Sequence, residues 1–372
     1  MESVTVAKAN ALVAVEGNEV YIVVTDHKHG TGPSACLDSS VQVVDLDVNY
    51  YDDDRRSEFH VLKGFFIKRR LHKRRLAVAL SLIDPDVVIS VGQSEKYMLP
   101  EMKGQWVSIR EMHYTKDFRR YAAASRSVFY KIAARISDFY DYRCKIGRYD
   151  RIVVLTNEDR TANWRETDKV SVIPNPVTFR SEVVSPLAAC KVVAVGRLTA
   201  QKNFSSLIHA FRTVADRHPD WTLEIYGDGD ERDMLQNLIN ELKVEKSVRL
   251  CGKTAEVQQK MLEASCFVLS SKYEGLPLVM LEAMSCGLPA VAYACPCGPR
   301  DIITDGVDGF LVSEGDERML AERICCLIEI PKLRAEMGAA ALAKSENYHV
   351  DKIITMWQRL FERLLNEKGL RI

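Results

Sequence analysis

The segment 270–291 carries two glutamates whose spacing fits the binding of a sugar beside a phosphate group. Glu274 and Gly275 form a predicted turn after a strand, and Pro277 stands at the expected first position of a helix. The free N–H groups and the dipole at a helix N-terminus favour an anion. Glu282 lies about two turns further along that helix, and both carboxylates could accept hydrogen bonds from sugar hydroxyls. The plainer alternative is that Glu274 complements the helix dipole and Glu282 is simply exposed.

A pair of basic residues follows the first predicted strand of the second half of the chain. Gly196 ends that strand, Arg197 and Lys202 stand in the loop, and Asn203 is placed to cap the next helix. Two cations at the carboxyl end of a strand can neutralise a diphosphate, although such a pair on a loop is often only solvated. Because parallel strands end at one edge of a sheet, we expect this pair and Glu274 to share one site.

Composition indicates an ordinary globular protein of two domains. The chain has 372 residues, of which 47% are hydrophobic, and its 51 basic residues equal its 51 acidic residues. No apolar run reaches the roughly 18 residues of a membrane span. The ten cysteines include no CxxC pair, and Cys295 and Cys297 alone are weak evidence for a metal. Free thiols of this number favour a reducing cytoplasm.

Positive charge is concentrated in two stretches of the first half. Residues 61–83 hold seven basic and no acidic residues, with apolar residues between them at helical spacing. This pattern suits an anionic membrane surface, and a solvated helix face is the alternative. Residues 116–148 interleave basic residues such as Arg119, Lys131 and Arg135 with aromatic residues such as Phe129. No groove-reading motif accompanies this stretch, so we expect no nucleic-acid partner.

Strands and helices alternate along the chain, which predicts an α/β protein with parallel sheets covered on both faces. In the second half, the predicted strands are 190–195, 222–227, 247–252, 266–271 and 289–294, and the predicted helices between them are 203–217, 230–243, 255–264 and 277–285. In the first half, the predicted strands are 19–25, 41–48, 86–91, 106–111 and 151–156, followed by the segment 170–177. The fold expected is two facing doubly wound domains.

We place an N-terminal domain at 1–178, a second domain at 179–347 and a C-terminal helical segment at 348–372. The chain opens with apolar residues at helical spacing before Gly17, so a helix rather than a strand comes first. A doubly wound domain usually begins with a strand and a Gly-rich turn. We therefore expect Met1 to be an internal methionine of a longer protein; a fold that starts with a helix is the alternative.

Five segments, in order, resemble the donor domain of family 4 retaining glycosyltransferases of the GT-B fold: GRLTAQKN, EIYGDGDER, LCGKTAEV, EGLPLVMLEAMSCGLPAV and CGPRDIITDGVDGFLV. VSVIPNPV resembles the interdomain segment of that family. The resemblance is specific over residues 150–345 and looser before them. It implies two Rossmann-like domains and a C-terminal helix that crosses back to the first. The Gly-rich loop of the family has no counterpart here.

The resemblance also implies a reaction and a set of roles. The donor would be a nucleoside diphosphate sugar of UDP or GDP type, and the anomeric configuration would be retained. Arg197 and Lys202 would bind the diphosphate, Glu282 the ribose hydroxyls, and Glu274 would lie near the donor sugar. Further donor-binding groups would come from Gly196 and from the amides of Gly275, Leu276 and Leu278.

His113 follows a predicted strand in SIREMHY and resembles the active-site histidine of the family, although a single histidine there is often structural. The three acidic residues 52–54 resemble a metal-binding motif of another glycosyltransferase fold, but they lie far from the donor segments. We expect no metal and no other cofactor, because Arg197, Lys202 and the helix dipole can stabilise the departing diphosphate.

These observations favour a hexosyltransferase of bacterial surface-polysaccharide synthesis with a lipid-linked or glycan acceptor. We expect it in the cytoplasm, peripheral to the inner face of the plasma membrane through 61–83. One alternative is a nucleotide-sugar epimerase or hydrolase of similar fold, and another is a truncated, non-catalytic nucleotide-sugar binder. A dehydrogenase fits least, because Gly227 and Gly229 lack the third glycine of a dinucleotide fingerprint.

Overall fold

The computed structural model describes residues 2–25, 36–50, 58–92, 94–122 and 128–370. The chain forms two compact units. The first unit comprises Met1–Val154, Trp164–Pro176 and Val350–Ile372, and the second unit comprises Leu155–Asn163 and Val177–His349. The expected boundaries after residues 178 and 347 each lie within two residues of the observed ones, but Leu155–Asn163 also belongs to the second unit. The acidic residues 52–54 lie outside the described residues.

The first unit contains two parallel sheets. Strands β1 and β2 pair with each other, and β3 to β6 form a four-stranded sheet in sequential order. The strands are β1 (Tyr21–Val24), β2 (Gln42–Asp45), β3 (Val87–Ser90), β4 (Val107–Glu111), β5 (Arg151–Val154) and β6 (Val170–Val172). The first five lie within runs that the sequence predicts as strands, and β6 lies in the segment 170–177.

The helices of the first unit include the one expected at the start of the chain. They are α1 (Glu2–Val13), α2 (Glu58–Ile83), α3 (Phe118–Ala122), α4 (Val128–Phe139) and the C-terminal α13 (Val350–Lys368). The apolar side of α13 forms one core cluster with the four-stranded sheet, and Trp357 there is fully buried near Ile109 and Val153. Removing such a tryptophan side chain costs about 3–5 kcal/mol. The C-terminal helix is therefore part of the first unit.

The second unit is built on one six-stranded parallel sheet in the order β12-β11-β10-β7-β8-β9. Its strands are β7 (Lys191–Val195), β8 (Thr222–Tyr226), β9 (Val248–Gly252), β10 (Cys266–Leu269), β11 (Ala290–Tyr293) and β12 (Gly309–Val312). The sequence predicts the first five of these strands. Val192 and Val193 belong to different core clusters, because successive strand residues point to opposite faces. Both faces of this sheet are therefore buried, as expected.

Helices cover both faces of that sheet. They are α5 (Asn157–Asn163), α6 (Phe204–Arg217), α7 (Arg232–Glu241), α8 (Val257–Leu262), α9 (Leu278–Ser285), α10 (Pro299–Ile302), α11 (Glu317–Glu329) and α12 (Pro331–Ser345). Within the described residues, no helix is both long enough and apolar enough to cross a bilayer.

The strand order of the second unit contains a reversal. The chain adds β8 and β9 on one side of β7, and then returns to add β10, β11 and β12 on the other side. The connections that leave the carboxyl ends of β7 and β10 therefore lead to strands on opposite sides of this pair. In open α/β sheets, ligands bind at such a reversal.

Candidate active site

The loops that follow β7 and β10 are tied together by backbone and side-chain hydrogen bonds. The amide of Lys272 donates to the carbonyl of Gln201 at 2.8 Å, and the Gln201 side chain donates to the carbonyl of Tyr273 at 3.0 Å. Ser270 Oγ donates to the Lys202 carbonyl at 2.8 Å. Because β7 and β10 are adjacent parallel strands, the two charged segments found in the sequence meet at one edge.

Lys202 and Glu274 form an ion pair at this edge. Lys202 Nζ lies 2.6 Å from Glu274 Oε1, and the two side chains are 17% and 8% exposed. Gly196 makes room for this lysine, since a Cβ there would lie 3.2 Å from Lys202 Cε. A charge pair this buried is held only when its geometry is good. The structure thus brings together three of the residues that the sequence singles out.

Two glycines after β8 allow its loop to pack against the loop of Arg197. Gly227 has φ +144°, and a Cβ there would lie 1.8 Å from the carbonyl oxygen of Gly196. A Cβ on Gly229 would lie 2.4 Å from the carbonyl oxygen of Leu198. These glycines shape the loop at the sheet edge, whereas in the sequence they stand out only as an incomplete dinucleotide fingerprint.

Arg197 is exposed, and its guanidinium makes no hydrogen bond or ion pair with the described residues. It lies close enough to Tyr273 to affect the titration of that phenol. Burial raises the pKa of Tyr273, the charge of Glu274 raises it further, and the charge of Arg197 opposes both effects. A free cation is thus located beside the Glu274 loop.

The helix after Glu274 differs from expectation in two details. Pro277 immediately precedes α9 instead of forming its first residue, and the amide of Leu278 already donates to the carbonyl of Leu276 at 2.9 Å. The amides of Gly275 and Leu276 have no partner among the described residues. These two amides, and not that of Leu278, remain open to an anion.

A loop before α10 supports this helix start. Gly298 has φ +115°, and a Cβ there would lie 2.4 Å from Cδ of Pro277. The amide of Glu274 donates to the carbonyl of Pro296 at 3.1 Å. The segment around CGPR in the sequence therefore fixes the turn that carries Glu274.

Glu282 lies on α9 and accepts a hydrogen bond from the hydroxyl of Thr178. Burial raises the pKa of this carboxyl, and the bond from Thr178 partly offsets the effect. Glu282 makes no ion pair with the described residues. Its contact with Thr178, at the start of the long segment before β7, is not visible in the sequence.

Asn203 does not cap α6 as the sequence suggests. It precedes the helix with φ +54°, and its side chain makes no capping hydrogen bond.

The cap of α5 was likewise not foreseen. Asp301 accepts hydrogen bonds from the amides of Asn157 at 2.7 Å and Glu158 at 3.0 Å, and this contact holds the segment Leu155–Asn163 to the second unit.

The residues closest to a metal-binding arrangement do not belong to the Lys202–Glu274 edge. Among the described residues, His218, Cys325 and Glu329 come close together, but Arg217 donates to the same Glu329 carboxylate at 2.8 Å. A guanidinium beside that oxygen disfavours a cation. Cys295 and Cys297 are buried, and burial raises the pKa of the Cys295 thiol well above its usual value.

His113 follows β4 in the first unit and is mostly buried. Its Nδ1 lies 3.3 Å from Nδ2 of Asn175, and its Nε2 lies 3.7 Å from Oε1 of Glu111. Because an amide nitrogen donates, Nδ1 accepts and the neutral ring carries its proton on Nε2. Burial lowers the pKa of His113 to about 4, against the opposing effect of Glu111. His113 is therefore neutral at pH 7.

The surroundings of His113 contain polar groups that are not among the site residues predicted from the sequence. Glu111 is 1% exposed and forms an ion pair with Lys8 of α1. Among the described residues, His113 Nε2, Glu111 Oε2 and Asn175 Oδ1 are buried without a hydrogen-bond partner. Unsatisfied buried polar groups are costly, so this cluster is a candidate ligand-binding feature of the first unit. The only signal in the sequence was the closeness of Glu111 to His113.

Both units are α/β folds with parallel sheets, and solved structures share this architecture. Sucrose-phosphate synthase from Thermosynechococcus elongatus aligns with a TM-score of 0.76 at 16% identity, covering 97% of this chain and 92% of that one. Anabaena Alr3699/HepE in complex with UDP aligns with a TM-score of 0.66 at 19% identity, covering 87% and 86%. The fold is that of the GT-B glycosyltransferases.

Sequence comparison gives the family. The sequence model of the family described as glycosyl transferases group 1 matches residues 179–344 of this chain. The lipopolysaccharide core biosynthesis glycosyltransferase LpsD of Rhizobium meliloti is 30% identical over 244 residues, which cover 62% of this chain and 70% of LpsD. The chain belongs to the glycosyl transferases group 1 family. An uncharacterized glycosyltransferase of Haemophilus influenzae is 34% identical over 223 residues. The match covers 57% of this chain and 63% of the relative, so the chain spans less than two thirds of that relative's length.

Proposed function

We propose that this protein transfers a sugar from a nucleoside diphosphate sugar to a lipid-linked or glycan acceptor in bacterial surface-polysaccharide synthesis. The observation that carries the proposal is the edge where the free guanidinium of Arg197, the Lys202–Glu274 pair and the open amides of Gly275 and Leu276 meet. Positive charge and N–H donors in this arrangement fit a diphosphate. The name of the Rhizobium meliloti relative supports the polysaccharide pathway, and the UDP complex of HepE supports the donor type.

In this proposal, the charged groups at the sheet edge act on the leaving group. Negative charge grows on the diphosphate as the glycosidic bond to the donor sugar breaks. Arg197, Lys202 and the two open amides would stabilise that charge, which is the electrostatic contribution to catalysis. Glu274 would accept a hydrogen bond from a donor-sugar hydroxyl, and Glu282 would accept hydrogen bonds from the ribose.

The anomeric configuration would be retained by attack on the face from which the phosphate leaves. The bond between the anomeric carbon and the phosphate oxygen breaks, the bond to the acceptor oxygen forms, and the departing phosphate takes the acceptor proton. His113 would act in the reaction as a neutral hydrogen-bond donor through its Nε2 proton, in keeping with its low pKa.

The positive charge that this mechanism needs comes from side chains. We therefore expect transfer to continue when divalent metal ions are removed with EDTA. A loss of activity that Mg²⁺ or Mn²⁺ restores would contradict this part of the proposal.

Association with an anionic membrane through 61–83 stays a prediction. Three cations of α2 in that range contact their own unit. Lys68 donates to the carbonyl of Asn49 at 2.6 Å, Lys73 to Glu101 at 2.9 Å, and Arg75 to the carbonyl of Leu46 at 2.6 Å. These contacts favour a structural role for much of the charge on this helix.

Product analysis tests the proposed reaction. The protein is incubated with UDP-sugars and GDP-sugars, with and without glycan or lipid-linked acceptors, and the products are identified by NMR. We expect an acceptor-dependent glycoside with the anomeric configuration of the donor. Free sugar or an epimerised nucleotide sugar, formed equally without acceptor, would instead establish a hydrolase or an epimerase.

A further inference from the structure

Lys8 of α1 is a buried cation that is held between two other elements of the first unit. Its side chain is 9% exposed, and its ammonium forms an ion pair with the carboxylate of Glu111 at the end of β4. The same ammonium lies 5.2 Å from the centre of the Trp357 ring on α13, within the range of a cation–π contact. Lysines are almost never fully buried unless they are paired. Contacts with β4 and α13 therefore fix this ammonium in one position.

The carboxylate of Glu111 has a second neighbour, the imidazole of His113. Nε2 of His113 lies 3.7 Å from Oε1 of Glu111, the same oxygen that pairs with Lys8. On the other side of the ring, Nδ1 lies 3.3 Å from Nδ2 of Asn175 and accepts its hydrogen bond. The ammonium and the imidazole therefore share one carboxylate oxygen.

The imidazole and the ammonium compete to be the positive partner of this carboxylate. A carboxylate beside a histidine favours the protonated, cationic ring. Because histidine is more basic than glutamate, with ordinary pKa values of about 6.5 and 4.3, a proton taken up by the two would reside on the ring. The carboxylate already has a cation in Lys8. The ammonium thus occupies the role that an imidazolium would otherwise take.

The other charges near the ring do not replace Lys8. Burial is the main cause of the low pKa of His113; Glu111 raises that pKa, whereas Lys8, the amino terminus of the chain and Arg110 lower it. The Arg110 guanidinium donates to the end of β3 and to the loop that follows it, at 2.7 Å and 2.6 Å. Within the described part of the chain, Lys8 is the cation that pairs with Glu111 besides the ring itself.

We propose that Lys8 is a positioning residue that keeps the imidazole of His113 uncharged by neutralising Glu111. The ring then holds its proton on Nε2, and its Nδ1 stays able to accept from Asn175. A protonated ring would carry a second proton on Nδ1, which would face the amide nitrogen of Asn175 and break that hydrogen bond. Lys8 touches no substrate in this role. Only the consequence for turnover rests on the proposed function, because the charge of the ring is measurable in the free protein.

NMR titration of the imidazole tests this role. The histidines are labelled with ¹⁵N, and the His113 signals are identified by their loss in His113→Gln. The wild-type ring should titrate near its low pKa of about 4 and carry its proton on Nε2 at pH 7. Lys8→Gln can still donate to Glu111 but loses the charge, so it should raise the pKa of His113 by about 1–3 pH units. Lys8→Met should do the same, whereas Lys8→Arg should keep the pKa low.

Two further variants separate the charge effect from a loss of packing. The double variant Lys8→Gln/Glu111→Gln removes both charges, so the pKa of its His113 should fall back toward the wild-type value. Lys96→Gln is the matched control. Lys96 is also a buried lysine of the first unit, 8% exposed and 3.2 Å from Asp141, and it is not among the charges that act on His113. This control should leave the pKa of His113 unchanged.

Three results would overturn the proposal. They are a pKa of His113 in Lys8→Gln equal to that of the wild type, an equal rise in Lys8→Arg or Lys96→Gln, and a rise that persists when Glu111 is also replaced. Circular dichroism and melting temperatures establish which variants are folded. The double variant leaves no unpaired charge, so it and Lys8→Arg keep the comparison available if a single neutral variant unfolds.

The consequence for turnover is measured separately. An imidazolium would pair with Glu111, and its Nε2 proton would no longer be available to a ligand. The acidic limb of the kcat–pH profile for sugar transfer should therefore move to higher pH in Lys8→Gln and stay in place in Lys8→Arg. An unmoved limb in Lys8→Gln would refute the link to turnover. Absence of transfer by every protein would contradict the proposed function and not the charge of the ring, since the NMR titration needs no substrate.

Discussion

The ammonium of Lys202 lies 2.6 Å from the carboxylate of Glu274, although 72 residues separate them in the chain. The two residues follow β7 and β10, which become neighbours because the order of strand addition reverses between them. This pair is the fixed centre of the proposed donor site. The adjacent guanidinium of Arg197 is free to bind an anion.

Replacing Arg197 should affect turnover more than folding. Its guanidinium is exposed, so Arg197→Ala should leave the free energy of unfolding within about 0.5 kcal/mol of the wild type. Loss of a cation beside the leaving group should cost on the order of 3 kcal/mol of barrier, or about 10²-fold in kcat. Steady-state kinetics checks this expectation, with Lys332→Ala on the exposed surface of α12 as the control. Unchanged kcat in Arg197→Ala would remove this residue from the mechanism.

Breaking the Lys202–Glu274 pair should destabilise the second unit. Lys202→Met leaves the Glu274 carboxylate buried without its partner, and we expect a loss of about 3 kcal/mol in urea unfolding. Glu274→Gln should also be destabilising. The double variant should lose less than the sum of the two, because it leaves no unpaired charge. Additive losses would mean that the two charges do not interact in solution.

Substitution of Gly227 by alanine should lower the free energy of unfolding more than substitution of Gly252, a glycine at the same sheet edge. A Cβ at Gly227 would lie 1.8 Å from the Gly196 carbonyl oxygen, whereas a Cβ at Gly252 meets nothing within 4 Å although its φ is +77°. Gly252→Ala should cost about 1–2 kcal/mol for conformation alone. Gly227→Ala should cost clearly more and should also weaken nucleotide binding by displacing the Arg197 loop. Equal stability of the two variants would show that the loop can move away.

The low pKa of His113 predicts a pH-dependent stability. The pKa falls from an ordinary 6.5 to about 4 in the folded protein. Above pH 6.5 the ring is neutral in both states, and the full stability is present. Between pH 6.5 and 4 the unfolded chain binds the proton first, so folding loses up to about 3 kcal/mol as the pH falls.

Urea unfolding at several pH values, compared between the wild type and His113→Gln, isolates this contribution. The variant should show a shallower loss of stability between pH 6.5 and 4, because its side chain does not titrate. Parallel curves for the two proteins would show that His113 titrates normally and is not buried as described.

The strands and the donor segment were predictable because their signals are local. Short apolar runs mark β7 and β10, and the turn residues around Glu274 mark the start of α9. The sequence predicts Lys202 and Glu274 at one site but not their ion pair, because it does not give the strand order. Contacts such as Thr178 with Glu282 depend on that order and on long connections, and they could not be predicted.

Helix α4 shows a different limit of sequence reasoning. The sequence shows only basic and aromatic residues interleaved in this stretch, whereas the structure buries Asp138 and leaves Phe129 84% exposed. The deciding cation, Arg119, comes from α3 and binds both inner carboxylates. Partner charges on another element therefore override the apolar pattern of the helix.

The most direct test of the donor site is calorimetric titration of the wild type and Arg197→Ala with UDP and with GDP. We expect the wild type to bind at least one of the two nucleotides without added metal, and Arg197→Ala to bind it at least tenfold more weakly. Failure of the wild type to bind either nucleotide, or equal affinity in the variant, would contradict the assignment of this sheet edge to a diphosphate.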